Sequence, residues 1–244
     1  MRNIKLTISY DGTLYKGWQS QKNGSTVQEE IEKAIAKVFG SRHTLYGASR
    51  TDSGVHAKAQ VANFKAAEIV PVNRISVALN AVLPPDILIK KAEEVPADFH
   101  SRFDAKAKLY TYRIVNRSSR DPFADRYLWR VSYPLDVGLM RKEALVLLGT
   151  HDFKCFQASD KKERASVRTI TSIAVKKTGR FISIDIQGNG FLYNMVRNIA
   201  GTLVEIGRGY LAPGSMMTIL NSKDRKKAGP TAPARGLFLV KVIY

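Results

Sequence analysis

The sequence is short of cysteine, of acidic side chains and of long apolar runs. Cys155 is the single cysteine among 244 residues, so neither a disulfide framework nor a multi-cysteine zinc site is available. Acidic residues number 21 against 39 lysines and arginines. Nowhere do about 18 apolar residues run together, which excludes a membrane-spanning helix. The opening MRNIKLTISYDG alternates polar and apolar residues and lacks the apolar core of a signal peptide. These absences lead to the expectation of a soluble, cytoplasmic protein with no membrane partner.

Familiar catalytic signatures are missing too. There is no G-x-x-x-x-G-K-[ST] phosphate loop and no G-x-G-x-x-G opening a helix; GNGFLY at 188–193 lacks the third glycine. No G-x-S-x-G elbow occurs. The histidines, His43, His56, His100 and His151, show no i,i+4 pairing, which argues against a metal site. Without H-x-E and P-C-x-x-C the chain is not a zinc deaminase of nucleobases. The expected chemistry therefore uses no metal and no nucleotide cofactor.

What is present is a core and a charge. Hydrophobic residues make up 44% of the chain, enough for a folded interior, and the formal charge is +18. Residues 1–104 carry 14 basic and 11 acidic side chains, whereas residues 105–244 carry 25 and 10. So lopsided an excess fits a polyanionic partner, nucleic acid first. An anionic membrane surface is the second candidate, but no strongly amphipathic basic helix supports it. The basic runs at 160–164 and 223–227 are solvated loops or phosphate contacts.

Hydrophobic periodicity orders the elements. A strand is expected over 3–10. Ser25 and Thr26 followed by Gln28 and Glu29 form a capping box that opens a helix ending near Gly40. Strands are expected at 43–48 and 60–64, a helix at 73–82 and a strand at 87–92. The second part repeats the order. It has strands at 109–115 and 128–132, a helix over 137–148, and two strands, 167–176 and 181–186, joined by a tight turn. A long apolar helix over 191–206, a shorter one over 214–220 and a strand over 237–243 complete it. The predicted class is α+β, with two ferredoxin-like β-α-β-β-α-β halves, residues 1–104 and 105–244. Their mainly antiparallel sheets adjoin, with helices on one side and a basic cleft on the other.

Three segments could carry chemistry. The stretch from Gly47 to His56 joins two strands and contains Arg50 and Asp52. A rigid sheet commonly places functional groups on such a loop. Asp52, Ser53 and Gly54 are equally an ordinary turn signature. If extended geometry continued, Arg50 and Asp52 would share a face, and an arginine near a carboxylate keeps it ionised. In the helix over 191–206, Arg197 interrupts apolar residues on most of the circumference. A buried guanidinium needs an anionic partner, which is either a structural acid or the Asp52 loop. Finally, Tyr110 and Tyr112 share one strand face, as core residues or as a base-stacking platform.

Taken in order, several motifs resemble the bacterial tRNA pseudouridine synthase A family along nearly the whole chain. They are Tyr10-Asp11-Gly12 with Gly17-Trp18-Gln19, the run Ser49 to His56 (SRTDSGVH), and Phe99 to Phe103 (FHSRF). Tyr110-Thr111-Tyr112, His151-Asp152-Phe153, FLYNMVRN at 191–198, and TAPA at 231–234 with Gly236-Leu237 follow. Ser49 stands where the family often has glycine, and Ser53 where it often has alanine; neither change removes a reacting group. The resemblance implies isomerisation of uridine to pseudouridine in the tRNA anticodon stem-loop, around positions 38, 39 and 40. It implies Asp52 as the nucleophile, Tyr110 as the ring stacked on uracil, Arg50 as the side chain that helps expel the base, and Arg197 as the aspartate's partner. It further implies a homodimer bridged by tRNA, with no cofactor.

The implied reaction breaks N1–C1′, turns the uracil, forms C5–C1′ and removes the C5 proton. A carboxylate can act at C1′, as in retaining glycosidases, add to C6, or help take a C2′ proton. Competing readings are an RNA-binding module without chemistry, a nuclease or glycosidase using Asp52, and a paralogue acting on other RNA uridines.

Overall fold

Two compact units emerge from the computed structural model, which describes residues 1–67, 70–159 and 165–244. One unit comprises Met1–Lys106 with Phe238–Tyr244, and the other Ala107–Leu237. The basic run expected at 160–164 lies outside the described residues. The first unit begins with β1 (Arg2–Tyr10), α1 (Val27–Phe39), β2 (Tyr46–Gly47), β3 (His56–Ala66), α2 (Val72–Asn80) and β4 (Ile87–Val95). The second holds β5 (Ala107–Asn116), β6 (Trp129–Val131), α3 (Val137–Leu145), β7 (Gly149–Asp152), β8 (Val167–Thr178), β9 (Phe181–Gly188), α4 (Met195–Gly207) and α5 (Ser215–Ser222). The last strand, β10 (Leu237–Ile243), returns the chain to the first unit.

In the first unit the strands run β4-β1-β3-β10. β1 lies antiparallel between β3 and β4. The remaining edge of β3 is shared, with β2 antiparallel opposite Ala62 and Asn63 and β10 parallel opposite His56 and Ala57. Residues 48–55 leave the sheet in the interval between those two partners. Ile4, Leu6 and Ile8 of β1, Phe64 of β3 and Ile31 and Ile35 of α1 are all buried, so the alternation along β1 and the helical stripe of α1 both turn inwards. Thr26 caps α1, its hydroxyl accepting from the Glu29 N–H, and the Gly40 N–H returns to the Ala36 carbonyl.

The second unit runs β5-β9-β8-β7, antiparallel throughout, with β6 added parallel to β5. Tyr110, Tyr112 and Ile114 point to the buried face of β5, while Thr111 and Arg113 are half-buried on the other. Every residue of α4 is buried except Arg197. The helix lies so close to the segment after α5 that a Cβ at Gly201 would sit 1.8 Å from the Pro230 carbonyl oxygen. Among the described residues no helix is long and apolar enough to cross a membrane.

Three expectations need correction. The strand expected at 43–48 shortens to Tyr46–Gly47, because only those two residues pair in ladder register with β3, opposite Asn63 and Ala62. The long apolar helix begins at Met195 and not at 191, because Asn194 takes a left-handed conformation (φ 59°) that interrupts the helical turn. Strand β7, over Gly149–Asp152, follows α3 where the periodicity marked no element.

Candidate active site

Asp52 sits in the loop between β2 and β3, and its surroundings hold the loop's main chain from both sides. Before it, Ser49 is fixed by the buried amide of Gln60, whose Nε2 donates to the Ser49 carbonyl at 2.7 Å. The Ser49 N–H donates back to Gln60 Oε1 at 3.2 Å. Thr51 is fixed next: its hydroxyl bonds the Tyr10 phenol at 2.7 Å, and its carbonyl accepts from the Trp18 N–H at 3.0 Å. After Asp52, the Ser53 hydroxyl and the Gly54 N–H both donate to the Tyr15 carbonyl. The turn closes through the Val55 N–H and the Asp52 carbonyl at 3.1 Å, which is a main-chain turn.

The Tyr10 to Gln19 segment is thus the loop's cradle. Gly17 has φ 96°, and a Cβ there would meet the Thr51 carbonyl oxygen at 2.7 Å, so only glycine lets the two backbones approach. Tyr15 is itself anchored, its hydroxyl donating to Asp86 at 2.5 Å. Burial and that hydrogen bond together push the Tyr15 phenol well above its ordinary pKa, so it stays a neutral donor. Asp11 and His56 approach at 3.1 Å, and the Gly12 N–H donates to His56 Nδ1, which fixes the start of the cradle against the end of the loop. Within this frame Ser49 and Thr51 are buried, Arg50 is exposed and Asp52 is half-buried. No strand continues through 48–55, so turn geometry and not a pleat places Arg50 and Asp52.

Tyr110 and Arg197 belong to the second unit. Tyr110 is 7% exposed, its ring edge-on to Phe191 with centroids 5.1 Å apart. Arg197, the one residue of α4 that is not buried, donates from Nε to the Ala232 carbonyl at 2.8 Å and from Nη1 to Asn194 Oδ1 at 2.7 Å. The left-handed Asn194 that interrupts the helix therefore also orients its arginine. The neighbouring Pro233 carbonyl accepts from the Tyr112 hydroxyl at 2.7 Å. Burial raises the Tyr112 pKa far above the usual phenol range, with the Arg197 charge opposing it, which marks Tyr112 as a neutral core donor.

The segment 228–233 behaves as a strap along α4, and its fastening was not legible in the sequence. Arg225 donates to the Ala228 and Gly229 carbonyls, to Asn198 Oδ1 at 3.0 Å and to the Thr231 hydroxyl at 3.1 Å. Asn198 in turn donates to the Phe156 carbonyl at 2.7 Å. Burial pushes the thiol of neighbouring Cys155 up to about 12, so this cysteine packs and does not react. Tyr10 and Asn198 lie in the family-like motifs and Arg225 in the basic run 223–227, but nothing local marked their bracing roles, and Gln60 was only a residue of an expected strand. Chemically, the first unit presents a carboxylate and a guanidinium from one immobilised loop. The second presents a guanidinium and a nearly buried ring from braced elements.

A family model described as tRNA pseudouridine synthase matches residues 6–104 and 144–244. A tRNA pseudouridine synthase A of Thermoanaerobacter sp. (strain X514) is 50% identical over 244 residues, covering 100% of both chains. Relatives with the same description from Acetivibrio thermocellus and Clostridium acetobutylicum are 49% and 48% identical over 244 residues, again covering 100% of both chains.

Proposed function

This chain belongs to the tRNA pseudouridine synthase A family, and from that premise we propose how its residues carry out the isomerisation of uridine in tRNA. The chain is an intramolecular isomerase. Its product contains the atoms of its substrate, so the reaction consumes no redox partner and no phosphate donor. Breaking N1–C1′ leaves the electron pair on the uracil and builds positive charge at C1′. Asp52 is the group we assign to meet that charge, in the manner of a retaining glycosidase carboxylate. The uracil then turns so that C5 faces C1′, the C5–C1′ bond forms, and the proton on C5 leaves while N1 regains one.

The other assignments follow the chemistry of each group. Tyr110 supplies the ring on which the detached uracil stacks, Arg50 helps draw the target base out of its helix, and Arg197 serves substrate binding. Extruding a paired base costs a few kcal/mol, which phosphate contacts from the basic part of the chain offset. We place the target uridines in the anticodon stem-loop, around positions 38, 39 and 40, and the enzyme as a homodimer bridged by tRNA. The order β4-β1-β3, with β2 on the far side of β3, supports a ferredoxin-like first half. The charge asymmetry supports dividing the chain into residues 1–104 and a basic cleft-forming part, 105–244.

The observation that carries this reading is the immobilised loop, held at Ser49, Thr51 and Gly54, with Arg50 exposed and Asp52 half-buried between those points. The test is incubation with tRNA tritiated at uracil C5. Tritium is released to water, the strand remains intact, and the new pseudouridines map to the anticodon stem-loop. Broken strands or abasic sites would instead identify a nuclease or glycosidase.

A further inference from the structure

The edge of β3 does something unusual where the loop departs. β2 pairs with it opposite Asn63 and Ala62, and the Ala48 N–H adds one more backbone bond to the Val61 carbonyl at 2.8 Å. The next rung would set Ser49 against the main chain of Gln60. That main chain instead faces Ile8 of β1, and the Gln60 side chain takes the rung. Its amide gives a donor to the Ser49 carbonyl at 2.7 Å and an acceptor to the Ser49 N–H at 3.2 Å, so one primary amide stands in for a peptide group. Oε1 also accepts from the Val61 N–H at 3.2 Å, and Gln60 is 0% exposed. Its amide is therefore committed to this one arrangement, because a buried amide that lost these partners would go unpaid.

Two residues further on, Thr51 is held by the Tyr10 hydroxyl at 2.7 Å. The pattern is alternate. Ser49 and Thr51 are buried and clamped, at 8% and 7% exposure, while Arg50 is exposed and Asp52 half-buried. Fixing Ser49 and Thr51 constrains the main chain from which Arg50 and Asp52 project. We infer that Gln60 and Tyr10 are the positioning residues of this enzyme: they act through the Ser49 peptide and the Thr51 hydroxyl to aim Arg50 and Asp52 at the nucleoside. The inference rests on the assignment of Asp52 as the reacting carboxylate.

A carboxylate misplaced by about 1 Å can cost about 100-fold in rate, whereas tRNA affinity comes mainly from phosphate contacts. The experiment therefore compares Gln60→Met, which keeps the volume and removes both bonds to Ser49, with Tyr10→Phe, which removes one hydroxyl. Single-turnover tritium release, tRNA Kd and the melting temperature are measured for each, with Asp52→Asn as reference. The expected result is a rate lowered about 10- to 100-fold with Kd within about threefold of the parent. Should Gln60→Met fail to fold, Tyr10→Phe decides alone. Rates within about threefold of the parent in the folded variants, with Asp52→Asn inert, overturn the inference and leave the Asp52 assignment standing. A rate loss matched by an equal loss of affinity overturns it as well, because it reports general loosening. Turnover by Asp52→Asn defeats the underlying reading itself.

Discussion

Tyr110 and Tyr112 stand two residues apart on one strand face, yet their surroundings divide them. Tyr112 is fully buried with its hydroxyl given to the Pro233 carbonyl, which is the condition of a core residue. Tyr110 meets Phe191 edge-on and keeps a remnant of exposure. A ring that stacks on a base contributes about 1–3 kcal/mol, or about 5- to 150-fold. Replacing Tyr110 by Leu should therefore lower kcat/KM within that range, and Tyr110→Phe should lower it less, because the ring remains. Steady-state kinetics on tRNA checks this; equal losses in the two variants would assign the effect to the hydroxyl and not to stacking. Alternation along β5 was enough to place both rings on one face in advance. It could not say which was core, because that depends on contacts to residues 191 and 233, far along the chain.

Among the elements, α4 shows how tightly the strap after α5 is coupled to the arginine it serves. Gly201 lets the helix touch Pro230, and two carbonyls further along the same strap hold Arg197 and Tyr112. Gly201→Ala forces a Cβ into the Pro230 carbonyl, an overpacking that costs about 1–3 kcal/mol. For a chain of this size that corresponds to a melting temperature lower by roughly 2–12 °C. Thermal unfolding followed by circular dichroism checks it, and an unchanged midpoint would show that the strap is not bound to the helix as described. Periodicity read α1 well because it buries one regular face, and α4 and β10 well because they are apolar runs buried over most of their length. It misjudged β2 and the start of α4 because edge pairing and a left-handed Asn194 depend on partners, not on local pattern. The Gln60 clamp was equally silent: a side chain bonding a backbone 11 residues away leaves no repeat to detect.

Over the whole molecule, charge is the property that sequence alone settled, since it is a count and needs no geometry. An excess of +18, concentrated in residues 105–244, should make tRNA binding chiefly electrostatic. A protein that neutralises about six to ten phosphates loses about 10³- to 10⁵-fold in affinity between 50 and 200 mM salt. Filter binding across that range should give a steep linear plot of log Kd against log salt; a flat plot would contradict an electrostatic origin for binding. The motifs that resemble the family were legible as residues, but their physical meaning was not. Tyr10, Gly17 and Trp18 proved to be the cradle of a loop more than 30 residues away, held by bonds that only the fold creates.

The most direct measurement of the central claim is single-turnover release of tritium from tRNA labelled at uracil C5, made with Asp52→Asn beside the parent enzyme. Asparagine keeps the size of the side chain and removes its charge. The variant should release no tritium above background while binding tRNA within about tenfold of the parent, because phosphate contacts supply most of the affinity. Release at a near-parental rate would reduce Asp52 to a turn residue and contradict the account.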